Sequence, residues 1–288
     1  MKPLTFRWLC VLSLSLPLLV WFGHVITRDG PPTPAEKGST LRGYMRISPR
    51  GMDQFLDIHC NHCALVSSSG HLLGAGAGEE IDKTGCVLRM NNAPTLGFER
   101  DVGSRTTVRV VSHTSVPRLV KNESYYFGQS VNTTYVFWGP ERNMRQDGKG
   151  LIYDALMKTA KRYPSTSMYA VTREKVESCD NVFENETGKN RIKTGTYLST
   201  GFFTMILAIE MCDSIQVYGM IDDNFCRRAI HSPVPYHYYE KVWLDECKMY
   251  NFHEHRRRGG HRFITEKAIY AKWATQHKIE FKHPSWSP

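Results

Sequence analysis

The sequence predicts an α/β protein built on a layered sheet, and three observations carry that prediction. Strand-like and helix-like stretches alternate from about residue 56 to the end of the chain. Several strand-like runs stop in clusters of hydroxyls and amides. The tripeptide Ser199-Thr200-Gly201 stands directly before the run Phe202 to Cys212, which is apolar on every side and suits a helix buried in a core.

Taken in order, Ala64-Leu65-Val66 is a short apolar run ending in Ser67-Ser68-Ser69-Gly70, and Cys86 to Met90 is a second, ending at Asn91-Asn92. Thr107 to Val111 and Thr134 to Trp138 are rich in β-branched and aromatic residues, as strands are. Leu151, Ile152, Ala155, Leu156 and Ala160 recur at helical spacing between Gly150 and Tyr163. Met168 to Val171 reads as a strand. Asp213 and Ser214 lead from the buried helix into a β-rich stretch, Ile215 to Met220. Phe263 to Trp273 suits a late helix and Ile279 to Phe281 a last strand.

If the sheet is parallel, the loops at Ser67 to Ser69, Asn91-Asn92 and Ser112-His113-Thr114-Ser115 gather at one edge, as the loops of nucleotide sites do. The plainer reading is that Ser and Asn make good turns. A helix N-terminus offers unpaired N–H groups and a positive dipole end, so Ser199-Thr200-Gly201 is a candidate anion cradle; a simple cap is the alternative.

Residues Trp8 to Ile26 contain no charge and are mostly Leu, Val, Trp and Phe. A helix of that length spans about 28 Å, close to the hydrocarbon thickness of a bilayer. Lys2 and Arg7 precede it, which keeps residues 1–7 cytosolic and sends the rest into the lumen. A cleaved signal peptide is the rival, but no small-x-small cleavage site follows the run. Residues 27–55 carry scattered Pro, Gly, Arg and Ser and read as a stem, leaving 56–288 as one domain. Seven cysteines lie beyond the anchor, so pairing in an oxidising lumen leaves one over. Asn122, Asn132 and Asn185 each open a glycosylation sequon. The net charge of +9 permits anionic partners, but a lumenal fate argues against nucleic acid.

His59-Cys60-Asn61-His62-Cys63 has the look of a metal knuckle, with disulfides as the competing use of its thiols. Asp222-Asp223 could hold a divalent cation or be an ordinary acidic loop. His237, within Tyr236 to Glu240, and His261, within His261 to Glu266, are stronger candidates for acid–base work. On one continuous helix His261 and Glu266 would point about 140° apart, so His261 is expected just before the helix, with Thr265 available as a cap. Arg256-Arg257-Arg258 reads as a solvated face.

Four segments together resemble the sialyltransferase family. Cys63 to about Ser115, with Glu80-Ile81-Asp82, Arg89-Met90-Asn91, Ala93-Pro94-Thr95 and Asp101-Val102-Gly103, is similar to the family's large motif. Leu198 to Ile221 resembles the small motif, His237-Tyr238-Tyr239-Glu240 the third, and His261 to Glu266 the very small HxxxxE motif. Val110 to Pro117, Glu186 to Lys189 and His261 to Lys267 further resemble the N-acetylgalactosaminide α-2,6-sialyltransferases acting on α-2,3-sialylated Galβ1,3GalNAc. Phe202 departs from the Trp expected there.

The resemblance implies a variant GT-A fold, a Rossmann-like sheet sandwiched by helices, that works without metal or cofactor. Its donor would be CMP-sialic acid and its acceptor a sialylated glycoprotein or glycolipid, in a type II protein of the Golgi membrane. Carried over by motif, Ser68, Asn91 and Ser112 would contact the CMP portion, and Ser199, Thr200 and Gly201 the donor's carboxylate and its neighbours. His237 would donate to the departing phosphate and His261 would be the general base. Cys63 and Cys212 would form a disulfide between the large and small motifs. The alternatives are α-2,3 transfer to galactose and a non-catalytic lumenal glycan-binding protein.

Overall fold

The computed structural model describes residues 30–36, 38–49, 54–130 and 132–288. The expected cytosolic tail and membrane helix lie outside these residues. Among the described residues no helix is long and apolar enough to cross a membrane.

The strands are β1 (Leu41–Arg46), β2 (Phe55–Leu56), β3 (Cys60–Val66), β4 (Cys86–Met90), β5 (Val108–Ser112), β6 (Thr134–Trp138), β7 (Ser167–Val171), β8 (Cys212–Tyr218) and β9 (Ile279–Lys282). The helices are α1 (Gly78–Lys83), α2 (Glu99–Val102), α3 (Val116–Lys121), α4 (Glu141–Met144), α5 (Leu151–Arg162), α6 (Arg173–Thr187), α7 (Arg191–Thr194), α8 (Thr200–Met211), α9 (Glu246–His255) and α10 (Phe263–Ala274).

All nine strands form one sheet in the order β2-β1-β7-β6-β5-β4-β3-β8-β9. From β7 to β9 every neighbouring pair is parallel; β1 alone runs antiparallel to β7 and to β2. The chain winds outward from β3 to β7, then returns on the far side of β3 as β8. That reversal creates a crevice at the carboxyl ends of the strands.

Central strands β4 and β5 are buried at every position, as parallel strands covered on both faces should be. Alternate residues serve two cores. Leu65, Leu88, Val110 and Val136 pack with α6, α8 and α10, whereas Ala64, Val87, Val111 and Phe137 face α1, α3 and α5. Helix α8 lies across β3, β4, β5 and β8 and buries residues around its whole circumference, as its uniformly apolar sequence predicts.

Part of residues 27–55, the segment expected as a stem, belongs to the sheet. Leu41–Arg46 joins the sheet between β2 and β7, with Tyr44 against Val171 and Arg46 against Tyr169. The Ala35 N–H also donates to the Glu210 carbonyl at 3.0 Å. Gly43, Arg42 and Arg46 hide this strand from a composition-based reading, because it buries only Leu41 and Tyr44.

Disulfides fasten β3 to both neighbours, Cys60 to Cys86 on β4 and Cys63 to Cys212 at the start of β8. Cys226–Cys247 closes a loop before α9, and Cys179 stays free and buried. The metal-knuckle reading therefore fails, since both of its thiols are in disulfides. Asn122, Asn132 and Asn185 are all exposed.

Candidate functional site

A cavity of about 530 Å³ opens at the carboxyl ends of the parallel strands. Ser68, Asn91, Ser112, Ser199, Thr200, Gly201, His237 and His261 all line it. Residues up to 193 positions apart in sequence are thus brought to one cavity by the fold.

Each strand end contributes in its own way. After β3, the hydroxyls of Ser67 and Ser69 are spent locally, on the Gly219 carbonyl and the His71 N–H, while Ser68 keeps its hydroxyl without a hydrogen bond among the described residues. After β4, Asn91 adopts a left-handed backbone (φ 50°), which Asn tolerates better than most residues. Its side-chain oxygen accepts the Ser112 N–H at 3.0 Å, and its backbone carbonyl accepts the Arg109 guanidinium at 2.9 Å. Arg109 and Arg89 are both buried cations. Arg89 donates to the carbonyls of Val102 and Arg105, and burial pulls its pKa down to about 10. These arginines brace the loops after β4 and before β5. After β5, the Ser112 hydroxyl is bonded to Thr114 at 2.8 Å.

Ser199 is the N-cap of α8, its hydroxyl oxygen accepting the Phe202 N–H at 3.1 Å. The same hydroxyl donates to Glu266, and the Ser199 N–H donates to the other Glu266 oxygen at 2.8 Å. Ser199 thereby has no hydroxyl left over. The orphan donors of this helix end are the N–H groups of Thr200 and Gly201.

His261 precedes α10, as its spacing from Glu266 requires. Its Nδ1 donates to the Tyr197 carbonyl at 3.0 Å; since a carbonyl only accepts, the second ring nitrogen carries the lone pair. Burial holds its pKa below the ordinary imidazole value. The ring lies near-parallel to His253 at 5.5 Å. Thr265 is not the cap of α10. Glu254 reaches over from α9 and accepts from Ile264 N–H (2.9 Å), Thr265 N–H (3.3 Å) and the Thr265 hydroxyl (2.5 Å).

His237 rides on the loop closed by Cys226–Cys247. It lies 2.8 Å from Glu240 and is sandwiched between the rings of Tyr236 (4.1 Å) and Tyr239 (5.3 Å). The Tyr238 N–H donates to the Ser68 carbonyl at 2.9 Å, which fixes this loop against the end of β3.

Two wall residues had no role assigned from sequence. Glu266 is 2% exposed, and burial raises its pKa to about 7. Lys267 is 5% exposed, lies 4.0 Å over the Tyr250 ring, and has no hydrogen-bond or ion-pair partner among the described residues. Burial lowers its pKa against the opposing pull of Glu246, Glu266 and Glu254. Nothing in the helical pattern separates this lysine from a solvated one. Asp222 is engaged by Arg228 at 2.6 Å and by the Asn224 N–H at 2.9 Å, which accounts for it as a loop brace. Among the described residues no group of three His, Cys, Asp or Glu side chains is placed to hold a metal ion.

A family model described as Glycosyltransferase family 29 (sialyltransferase) matches residues 39–278. The chain is 50% identical over 290 residues to alpha-N-acetylgalactosaminide alpha-2,6-sialyltransferase 3 of Mus musculus, covering 97% of this chain and 94% of that one. It is 53% identical over 227 residues to a Homo sapiens protein named alpha-N-acetyl-neuraminyl-2,3-beta-galactosyl-1,3-N-acetyl-galactosaminide alpha-2,6-sialyltransferase, covering 79% of this chain and 75% of that one. The solved structure of a mammalian sialyltransferase in complex with Gal-beta-1-3GalNAc-ortho-nitrophenol is similar in fold, with a TM-score of 0.50 at 24% identity over 77% of this chain and 69% of that one.

Proposed function

We propose, on the premise that the chain belongs to glycosyltransferase family 29, the sialyltransferases, that it transfers sialic acid from CMP-sialic acid to the C6 hydroxyl of GalNAc. The acceptor is a sialylated Galβ1,3GalNAc on an O-glycan or a ganglioside, reached from the Golgi lumen by a domain tethered through an N-terminal helix. The names of the 50% and 53% identical relatives support this choice of linkage and acceptor. We read the sheet as a variant GT-A arrangement.

One observation carries the chemistry: His261, His237 and the N-terminus of α8 line a single cavity. A sugar hydroxyl is a weak nucleophile, so the lone-pair nitrogen of His261 takes its proton as O6 attacks the anomeric carbon. The bond from that carbon to the phosphate oxygen breaks, and its electron pair departs with CMP. Attack from the face opposite CMP gives one inversion, from β donor to α product.

Negative charge builds on the phosphate as it leaves. His237 donates to it, and the Thr200 and Gly201 N–H groups and the Lys267 ammonium supply fixed positive potential. Ser199 acts here through its cap, which holds those N–H groups in place. Ser68, Asn91 and Ser112 hold the nucleotide.

His261→Ala should cut turnover by roughly 100- to 10,000-fold while CMP binding by calorimetry is retained. Near-normal transfer by that variant refutes the base assignment. Linkage analysis of the product from a panel of O-glycan and glycolipid acceptors tests the acceptor; an α-2,3 product on galactose overturns it.

A further inference from the structure

The proposed reaction places two anionic groups from the donor in the cavity, its carboxylate and its phosphate, and the acceptor brings a third, the carboxylate of its existing sialyl group. The cations of the wall divide unevenly among these. Arg191 is already closed by a bidentate pair with Asp180 from α6. Lys267 lies above Tyr250, on the side of the cavity formed by α9 and α10. Arg142, on α4 at the carboxyl end of β6, has no ion-pair partner among the described residues. Its neighbour Glu141 is drawn away to Arg173 of α6.

The surroundings of Arg142 are built for a ligand with one charged group and an apolar face. Trp138 is 8% exposed and stacks on Phe203 at 4.2 Å and 27°, giving an aromatic floor that continues into α8. Its indole nitrogen is buried without a hydrogen-bond partner. His113 stands edge-on to that indole at 6.3 Å, and its Nδ1 is likewise buried and unpaired. Gly139 leaves room for the His113 side chain, because a Cβ there would come within 2.6 Å of the His113 Cβ. Buried donors without partners are costly, and a polar ligand in the cavity would relieve that cost through a small movement of either ring. Burial, and after it the charge of Arg142, push the His113 pKa below the ordinary imidazole value.

We propose that Arg142, with His113 and the Trp138–Phe203 floor, forms a subsite for the carboxylate of the sialyl group already present on the acceptor. A guanidinium fork matches a carboxylate in two parallel hydrogen bonds, which gives selection as well as affinity. This inference rests on the acceptor assigned above, and it accounts for a preference that the reacting groups alone do not explain.

The test compares wild type and Arg142→Gln on three acceptors: sialylated Galβ1,3GalNAc, its sialyl methyl ester, and unsialylated Galβ1,3GalNAc. Wild type should use the sialylated acceptor best. Arg142→Gln should lower kcat/KM for that acceptor by roughly 10- to 100-fold through KM. The same variant should be indifferent to esterification, with KM for CMP-sialic acid unchanged within about twofold. Arg142→Lys should restore part of the loss. Equal losses on all three acceptors, or a parallel rise in the donor KM, overturn the subsite. A wild-type enzyme that transfers to none of the three, or in another linkage, instead overturns the acceptor assignment on which it rests.

Discussion

Glu266 on α10 receives both the N–H and the hydroxyl of Ser199, the residue that caps α8. Two segments 67 residues apart in sequence are therefore joined at the point where the cavity presents its helix dipole. This carboxylate lines the cavity, and both of its oxygens are engaged by Ser199. It fixes the first turn of α8, and through it the N–H groups of Thr200 and Gly201, while α10 carries His261 just ahead of its own first turn.

Removing that link should be felt in stability first. Glu266→Ala leaves the Ser199 N–H without a partner in a dry site and should lower Tm by roughly 5–12 °C, measured by scanning calorimetry. The wild-type pH profile carries a related sign. Burial raises the Glu266 pKa from 4.5 to about 7, so the folded protein holds a proton that the unfolded chain has lost between those values. Its contribution to stability is full below about pH 4.5 and disappears as pH rises through about 7. Glu266→Gln should flatten that part of the Tm profile; an unchanged slope contradicts the assignment.

The proposed base, His261, should operate in mildly acidic conditions. Because burial lowers the His261 pKa from 6.5, the acid limb of kcat/KM should have its midpoint below 6.5. A limb centred above that value means that another group, or a charged His261, controls the rate.

Gly201 offers a separation of folding from binding. A Cβ there would lie 3.2 Å from the Ser199 hydroxyl and 3.7 Å from the Tyr270 hydroxyl. Alanine favours helices by about 1 kcal/mol over glycine, so Gly201→Ala should keep its Tm to within a few degrees. The added methyl crowds the donor cradle, and KM for CMP-sialic acid should rise severalfold. A normal donor KM would show that Gly201 stands clear of the donor.

The Cys63–Cys212 bridge closes a separation of 149 residues. Chain-entropy reasoning assigns such a closure about 4–5 kcal/mol. Replacing both cysteines with serine should lower Tm by roughly 8–20 °C in calorimetry, with the retained fraction still binding CMP.

Strands β3, β4 and β5 were legible because each is a short apolar run ended by Ser or Asn, and because parallel strands buried on both faces have few polar interruptions. Strand β1 and helix α6 were not legible. Leu41–Arg46 mixes glycine and arginine among its apolar residues, and Arg173–Thr187 buries only Cys179, Asp180, Val182 and Phe183 beneath a charged surface. The histidines stood out as candidates from local sequence, but their meeting in one cavity depends on the fold, which no local pattern encodes. The same holds for Lys267, whose burial is decided by Tyr250 on another helix. The pairings Cys60–Cys86 and Cys226–Cys247 needed coordinates, since the family resemblance implied only Cys63–Cys212 and left five cysteines open.

The bridge between Cys226 and Cys247, 21 positions apart, encloses the span that carries His237. A chain synthesised where glutathione keeps thiols reduced would carry His237, the proposed leaving-group acid, on an untied loop. Specific activity should then track the oxidising history of a preparation. Material from a bacterial cytoplasm would need refolding in a thiol–disulfide buffer before its turnover could be compared with secreted material.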